Sequence, residues 1–589
     1  MALDATLRRA RAALAALWAR PATPKVAHLA STLAVLAVLS AYLTTWLQGN
    51  WGTLTDPLLQ NDDARTSLFP FHRYGPEGAL ADDPIATEML SFVPLGVHAL
   101  YRAFVPLTDV YVAPKIVQGI ALGVLLFAGM VLSRSRRAGL GAGVLLIFLI
   151  LHDWFAVFRI AGGLPRAFGF PVFALWLAGV LAQRPWVRRA APVLAALTYP
   201  SVMNMLLAAE GLYAVRGLGR VEWGVLWRRL GRYVALVAVC FIAVLPALTG
   251  GEERGPIHNL EQAQNEPAFG KRGRLWVLPF DRPTDVLGRD FIDQLTPRGR
   301  SIAPELAKIY ASDGEMYATL VFALLLVLAL LRWTPVPWVA VAFFCGMVVL
   351  FFLSRTFAFQ LYSPERYHSF GMRMAATTLI AALLTHSWYW LRPPLRDIAR
   401  NLTVAGFILG VWAFAGDGVV KNVGMTIDQR RDRELYEFVA TLPLDARIAS
   451  HPADGDGIPY YSARATMGTF ETLQPWFVDS WRRQKERCQE TLTALYATDP
   501  AAVLDYAQRH SVSHFLVNRN RYKSDFQRRA ASFEPFTAFT RELLRDVRRK
   551  DLVLGSVPDE AVVFRKGNWQ VVDVELLRRR WREGPTDGR

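Results

Sequence analysis

The stretch Ala27–Leu47, AHLASTLAVLAVLSAYLTTWL, carries no charged side chain from end to end. A helix satisfies its own backbone amides, and about 20 apolar residues match the hydrocarbon thickness of a bilayer, so this stretch reads as a membrane span. Arg8, Arg9, Arg11, Arg20 and Lys25 precede it and no small-residue cleavage pattern follows. It is therefore a retained anchor with a cytoplasmic N-terminus. Working outward, similar runs recur at 112–132, twice between Arg137 and Arg184, and at 233–249, 317–332, 337–353, 370–390 and 400–416. Between basic clusters, residues 190–215 are too few for two full spans but fit two short helices broken at Tyr199-Pro200. Arginine clusters at the ends of these runs set the sidedness and give about eleven crossings.

The expected organisation is a polytopic α-helical membrane protein with a cytoplasmic segment 1–26 and a transmembrane domain 27–416, which carries long outer loops at 48–110 and 250–316. An extracytoplasmic α/β domain follows at 417–589. In that tail a helix is expected at 433–442, with strands at 447–450, 514–518, 561–565 and 569–574. The loop 250–316 is longer than a connection needs and is expected to fold over a substrate site.

Composition agrees with this reading. The chain has 589 residues, 52% of them hydrophobic and 20% charged, which excludes a disordered or disulfide-stapled chain and an ordinary soluble enzyme. The net charge of +16 would raise nucleic acid as a partner in a soluble protein. Here the basic residues flank apolar runs, so topology accounts for them and no nucleic acid is expected. Cys240 and Cys345 lie inside apolar runs and Cys488 stands alone in the tail, so no bridge is expected. There is no Walker loop, dinucleotide fingerprint, HExxH or Gly-x-Ser-x-Gly elbow.

Chemistry concentrates in the outer segments. Gln60–Tyr74, QNDDARTSLFPFHRY, places Asp62 and Asp63 just beyond the first span, followed by Arg65 and His72. Adjacent carboxylates at a membrane face can accept a proton or hold a cation; the alternative is an acidic turn that starts a helix. Residues 85–104 form an amphipathic surface stretch containing Pro94, and Asp82, Asp83 and Glu88 read as helix-start residues. The turn between the third and fourth spans carries Asp153, for which an ion pair with Arg159 or Arg166 is the structural alternative. A bend at 354–369 with Arg355, Arg366 and His368, and Arg373 just inside the next span, places cations where a lipid phosphate would lie. Their alternative is snorkelling to headgroups.

This layout resembles the GT-C superfamily of integral membrane glycosyltransferases, on the strength of the cytoplasmic N-terminus, the number of spans, the Asp62-Asp63 motif opening a long first outer loop, and the external C-terminal domain. The resemblance implies an enzyme that moves a sugar from a polyprenyl-phosphate carrier to a glycan, lipid or protein acceptor outside a bacterial inner membrane. It implies that Asp62 and Asp63 form the catalytic acid motif, one acting as base toward the acceptor or as ligand to a divalent ion such as Mg or Mn. Asp153 would assist the acceptor or, with Asp63, the metal. Arg355, Arg366, His368 and Arg373 would neutralise the leaving phosphate, with Arg65 and His72 also on the substrate. The tail lacks a Trp-Trp-Asp-Tyr-Gly run, which argues against an oligosaccharyltransferase catalytic subunit. Three other readings stay open: a transporter, a GT-C-derived scaffold, and an Arg- and His-dependent polymerase or ligase.

Overall fold

The computed structural model describes residues 24–135, 138–215, 222–249, 254–275, 277, 338–357, 359–361, 364–386, 388, 391–415 and 426–583. The expected span 317–332 lies outside these residues, as do the N-terminal arginines. Among the described residues three helices are long and apolar enough to cross a membrane: α1 (Pro24–Thr55), a second at Ala113–Ser133 and a third whose apolar part is Trp223–Pro246. Shorter apolar helices occupy Gly139–His152, Pro165–Leu181, Val341–Thr356 and Ser369–Leu384. Large side chains on the long helices face outward, including Leu33, Phe241 and Ile242, each more than half exposed. Soluble proteins do not present such stripes, and a bilayer is the solvent that suits them. The chain is a membrane protein.

After α1 a three-residue strand, β1 (Leu59–Asn61), leads into α2 (Asp62–Leu68). The surface stretch is split at Pro94 into α3 (Pro84–Leu90) and α4 (Leu95–Phe104), because proline is disfavoured inside a helix. Of the three acids there, Asp83 caps α3 through the Ala86 amide, whereas Glu88 turns to Ser480 and Gln484 of the C-terminal domain.

The bundle continues with α5 (Ala113–Ser133), α6 (Gly139–His152), the short outer helix α7 (Trp154–Ile160), α8 (Gly169–Leu181), α9 (Pro185–Thr198), α10 (Pro200–Ala214) and α11 (Trp223–Thr249). The break between α9 and α10 falls at Tyr199-Pro200. Beyond a six-residue helix α12 (Leu260–Asn265) come α13 (Trp338–Thr356), α14 (Pro364–His386) and α15 (Leu395–Ala415). In the packing order, α5 lies against α6 and α8, α10 against α13, α13 against α14, and α15 against α1 and α6. The expected bend at 354–369 is shorter than that: α13 runs to Thr356 and α14 begins at Pro364, so Arg366 and His368 sit in the first turns of a helix.

The chain then returns to the first outer loop. Strand β2 (Thr426–Asp428) pairs antiparallel with β1, Gln60 opposite Ile427. The C-terminal domain follows as α16 (Arg433–Ala440), β3 (Arg447–Ser450), α17 (Ile458–Ser462), β4 (Ala465–Thr466), α18 (Val478–Leu495), α19 (Pro500–Arg509), β5 (His514–Asn518), β6 (Val562–Lys566), β7 (Trp569–Asp573) and α20 (Val574–Glu583). Its five-stranded sheet runs β4-β3-β5-β7-β6, parallel on the β4-β3-β5 side and antiparallel through β7. Trp481 and Leu492 of α18, Tyr506 of α19 and Leu577 of α20 share a buried core with Phe515 of β5. Burying each such side chain contributes roughly 1.5–3 kcal/mol, which makes this sheet face a core of its own. The described part of the long loop docks here as well: Ile257 bridges Phe477, and Phe269 stacks on Phe359 while both rings meet Trp476 edge-on.

Candidate active site

Asn61 closes β1 and caps α2, its Oδ1 accepting the Asp63 amide at 3.2 Å. Two acids in the first turn suit the positive end of a helix. The same Oδ1 accepts Arg166 Nη2 at 2.8 Å, and Asn61 Nδ2 donates to the Phe158 carbonyl at 3.4 Å. The turn after α7 is thus pressed against the acid motif. Glycine makes this possible: Gly162 has φ +85°, and a Cβ there would lie 2.8 Å from Asn61 Cβ. At Gly163, φ is +67° and a Cβ would lie 2.4 Å from the Pro114 carbonyl oxygen. Arg166, just beyond, forms an ion pair with Asp63.

Burial pushes the Asp63 carboxyl up, but the Arg166 guanidinium, backed by Arg159 and Arg366, outweighs it and holds the group below the usual carboxylate range. The Asp63 side chain is still 38% exposed against 10% for Arg166. It is an ionised carboxylate with an open side, in a surround that carries more positive than negative charge.

Arg159 accounts for the excess. On α7 its guanidinium lies over the rings of Phe155, Phe158 and Phe370 at 4.6, 5.0 and 5.5 Å. Its buried Nε has no hydrogen-bond partner, and it forms no ion pair with any described residue. Burial first, then repulsion from Arg366 and Arg166, opposes its charge, with Tyr199 and Asp63 acting the other way. A guanidinium stays protonated under such stress, so a bound anion rather than proton loss would relieve it. Arg366 reaches this group from the first turn of α14, close enough to act on both Asp63 and Arg159.

Asp153 has a different surround. Its Oδ1 caps α7 by accepting the amides of Phe155 at 2.8 Å and Ala156 at 3.1 Å, and takes Arg373 Nη1 at 2.8 Å. The alternative pairings with Arg159 or Arg166 are therefore replaced by Arg373, which arrives from α14 and enters the bundle paired rather than snorkelling. Burial pushes the Asp153 carboxyl up despite this partner and the two amides.

The remaining sequence candidates are scattered. Asp62 pairs with Arg65 at 2.7 Å, and Arg65 also reaches Asp456 of the C-terminal domain at 3.8 Å. His72 is bound to the Tyr460 carbonyl at 2.7 Å and packs edge-on against Tyr111. Burial drives its imidazole down to about 4, so this expected substrate contact is a neutral ring within the interface with the C-terminal domain. Arg355 lies over the Phe351 ring at 5.5 Å, and the His368 side chain is outside the described residues.

A metal is not supported by these side chains. Asp63 is taken by Arg166 and Asp153 by Arg373, and among the described residues no three His, Cys, Asp or Glu side chains gather as ligands. Three charged residues near this site stood outside the sequence candidates: Arg159, read there only as an ion-pair partner for Asp153, and Asp456 and Glu471 of the C-terminal domain. For Arg159 a signal existed, since Phe155 and Phe158 stand four and one residues before it on one short apolar helix.

No protein-family model and no curated protein matches the sequence. Solved structures do. ArnT from Cupriavidus metallidurans in the apo state superposes with a TM-score of 0.50 at 14% identity, covering 93% of this chain and 99% of that one. The fold is that of the GT-C membrane glycosyltransferases. The same ArnT bound to undecaprenyl phosphate gives 0.48 at 14% identity over 92% and 98% of the two chains. The Archaeoglobus fulgidus oligosaccharyltransferase in the apo form gives 0.46 at 11% over 86% and 72%. In this GT-C fold the acid turn, α7 and the start of α14 come from three separated parts of the chain, and the ion pairs above are what join them.

Proposed function

We propose that this chain is a glycosyltransferase that moves a sugar from a polyprenyl-phosphate carrier to an acceptor hydroxyl on the extracytoplasmic face of a bacterial inner membrane. In this reading the chain crosses eleven times, with a cytoplasmic N-terminus and a C-terminal domain in the periplasm, and the domains run 27–416 and 417–589. The observation that carries it is the unequal charge around Asp63: one ionised, partly open carboxylate amid Arg166, Arg159 and Arg366, with Arg159 in no ion pair among the described residues.

The acceptor oxygen attacks the anomeric carbon while the bond from that carbon to the phosphate oxygen breaks. The bonding electrons leave with the phosphate, and the hydroxyl proton passes to Asp63. Arg159 and Arg366 lie where they can receive the phosphate charge that develops, a form of stabilisation that is large when the donors are already in place. Arg166 holds Asp63 ionised at neutral pH, which is the state a base requires. Asp153 and Arg373 hold α7 against α14 and so set Arg159 in position. Purified protein in lipid nanodiscs, given a panel of polyprenyl-phosphate sugars with membrane extract, should release the free carrier phosphate. No release from any donor, or full release by Asp63→Asn, overturns the reading.

A further inference from the structure

The C-terminal domain reaches the acid motif through a line of charged side chains joined by two ion pairs, one backbone amide and a third ion pair. Asp62 pairs with Arg65 at 2.7 Å and Arg65 with Asp456 at 3.8 Å. The other oxygen of Asp456 accepts the Glu471 amide at 3.0 Å, and Glu471 pairs with Arg274 of the long loop at 2.5 Å. Three outer segments that are remote in sequence, α2, residues 454–471 and residues 254–275, are thereby linked. All four outer members of this line are largely buried, Asp456 at 9% exposed and Glu471 at 14%.

The balance at Glu471 is unusual. It faces one cation, Arg274, and three carboxylates: Asp456 from its own domain, and Asp63 and Asp62 from α2. Burial pushes its carboxyl up to about 7, with those three acids adding to the effect and Arg274 opposing it. Asp456 is raised by burial too, against Arg65 and Arg274. Carboxylates gathered around one ion-paired line feel one another's charge, so a change of charge on one shifts the others.

We propose that Asp456 and Glu471 are positioning residues of the active site, supplied by the C-terminal domain: Asp456 seats Arg65 against Asp62, and Glu471 exchanges a proton in answer to the charge on the Asp62–Asp63 pair. This rests on the reading of that pair as the acid motif of a transferase. When Asp63 takes the acceptor proton, one of the negative charges facing Glu471 disappears and Glu471 binds its own proton less tightly. Glu471 then gives up its own proton while Asp63 keeps the acceptor's, so the net charge of the four acids is unchanged. The same line of contacts couples the seating of that domain to the orientation of Asp62.

The test uses full-length protein in nanodiscs and pH-difference infrared spectroscopy, which sees protonated carboxyl groups and needs no substrate. The wild type should show a carboxyl band that vanishes as pH rises through about 7. Glu471→Gln, whose amide oxygen can still accept from Arg274, should lose it, and Asp63→Asn should move its midpoint to lower pH. In the transfer assay Asp456→Ala should lower kcat more than it raises KM for the donor, and Asp456→Glu should restore most of the rate. A band that persists in Glu471→Gln, or a midpoint indifferent to Asp63→Asn, overturns the inference even if carrier release is observed. A shifting midpoint in a protein that releases no carrier upholds the coupling and overturns the transferase reading instead.

Discussion

Asp63 and Asp153 each meet an arginine from a remote part of the chain, yet their surroundings differ in the property that separates a reacting group from a structural one. Asp153 is held at one oxygen: two backbone amides and one guanidinium close on its Oδ1, and charge is matched one for one. Asp63 shares Arg166 with Asn61, keeps 38% of its side chain exposed, and sits among more cations than it can neutralise. Matched charge fastens α7 to α14. Unmatched charge beside an open carboxylate leaves room for a substrate that brings negative charge with it.

The comparison breaks most sharply through Asp63. Replacing it with Asn removes the base while the amide can still accept from Arg166, so carrier release should fall by about 100- to 10,000-fold with the melting temperature nearly unchanged. A variant that keeps its rate would place the two acids in the same class. Asp153 should behave in the opposite way. Asp153→Ala leaves Arg373 buried without a partner and uncaps α7, a loss of about 3–5 kcal/mol in stability, visible as lost detergent-resistant fold on thermal melting. Asp153→Asn, which can still cap, should recover part of that stability. If Asp153→Ala melts like the wild type, the pair with Arg373 does not fasten the two helices.

Arg159 sharpens the same contrast from the cation side. Arg159→Met keeps the packing on Phe155, Phe158 and Phe370 but removes the charge. Donor binding should weaken by the roughly 1.5–3 kcal/mol of a charged hydrogen bond, about 10- to 150-fold, while stability rises slightly because a buried unpaired charge is gone. Arg159→Lys should not rescue, since an ammonium neither stacks on three rings nor forks to a phosphate. Unaltered donor affinity in Arg159→Met, measured by carrier-phosphate binding, would remove Arg159 from the site.

How far these features could be read from the sequence follows their physical range. Three expected spans, 27–47, 112–132 and 233–249, fall on helices long and apolar enough to cross a membrane and were legible because such a run is local, about 20 residues; the Tyr199-Pro200 break was legible for the same reason. The strand at 514–518 was equally plain, whereas 561–565 begins one residue later at Val562 and 569–574 ends one residue earlier at Asp573. The β1–β2 pairing was not legible, because three-residue strands from opposite ends of the bundle carry no register signal. Asp62 and Asp63 could be singled out because adjacent acids are visible in one dimension. Their partners were not, since Asp153 and Arg373 are 220 positions apart and only packing of α7 on α14 chooses that pairing over Arg159 or Arg166. Arg159 was concealed by its apolar neighbours, although an arginine among phenylalanines is a costly placement that calls for a reason.

The gentlest test is the pH dependence of transfer. Asp63 is held below the usual carboxylate range because Arg166, helped by Arg159 and Arg366, overcomes the upward push of burial. A base works only when ionised, so wild-type activity should persist as pH falls until it drops through this lowered value, leaving the acid limb below the ordinary range for Asp. Arg166→Gln removes the largest opposing influence and leaves burial in command. The Asp63 pKa must then rise, and the acid limb must move toward neutral pH, with little change in rate on the alkaline side, where Asp63 is ionised in both proteins. The corresponding change at the other pair, Arg373→Gln, raises further a carboxyl that is already elevated and to which the proposed mechanism gives no part in proton transfer. It should reduce the maximal rate through misplacement of α7 and leave the acid limb where it was. Limbs that move equally in both variants would mean that the two carboxylates share the work, and the division between open and matched charge would have to be abandoned.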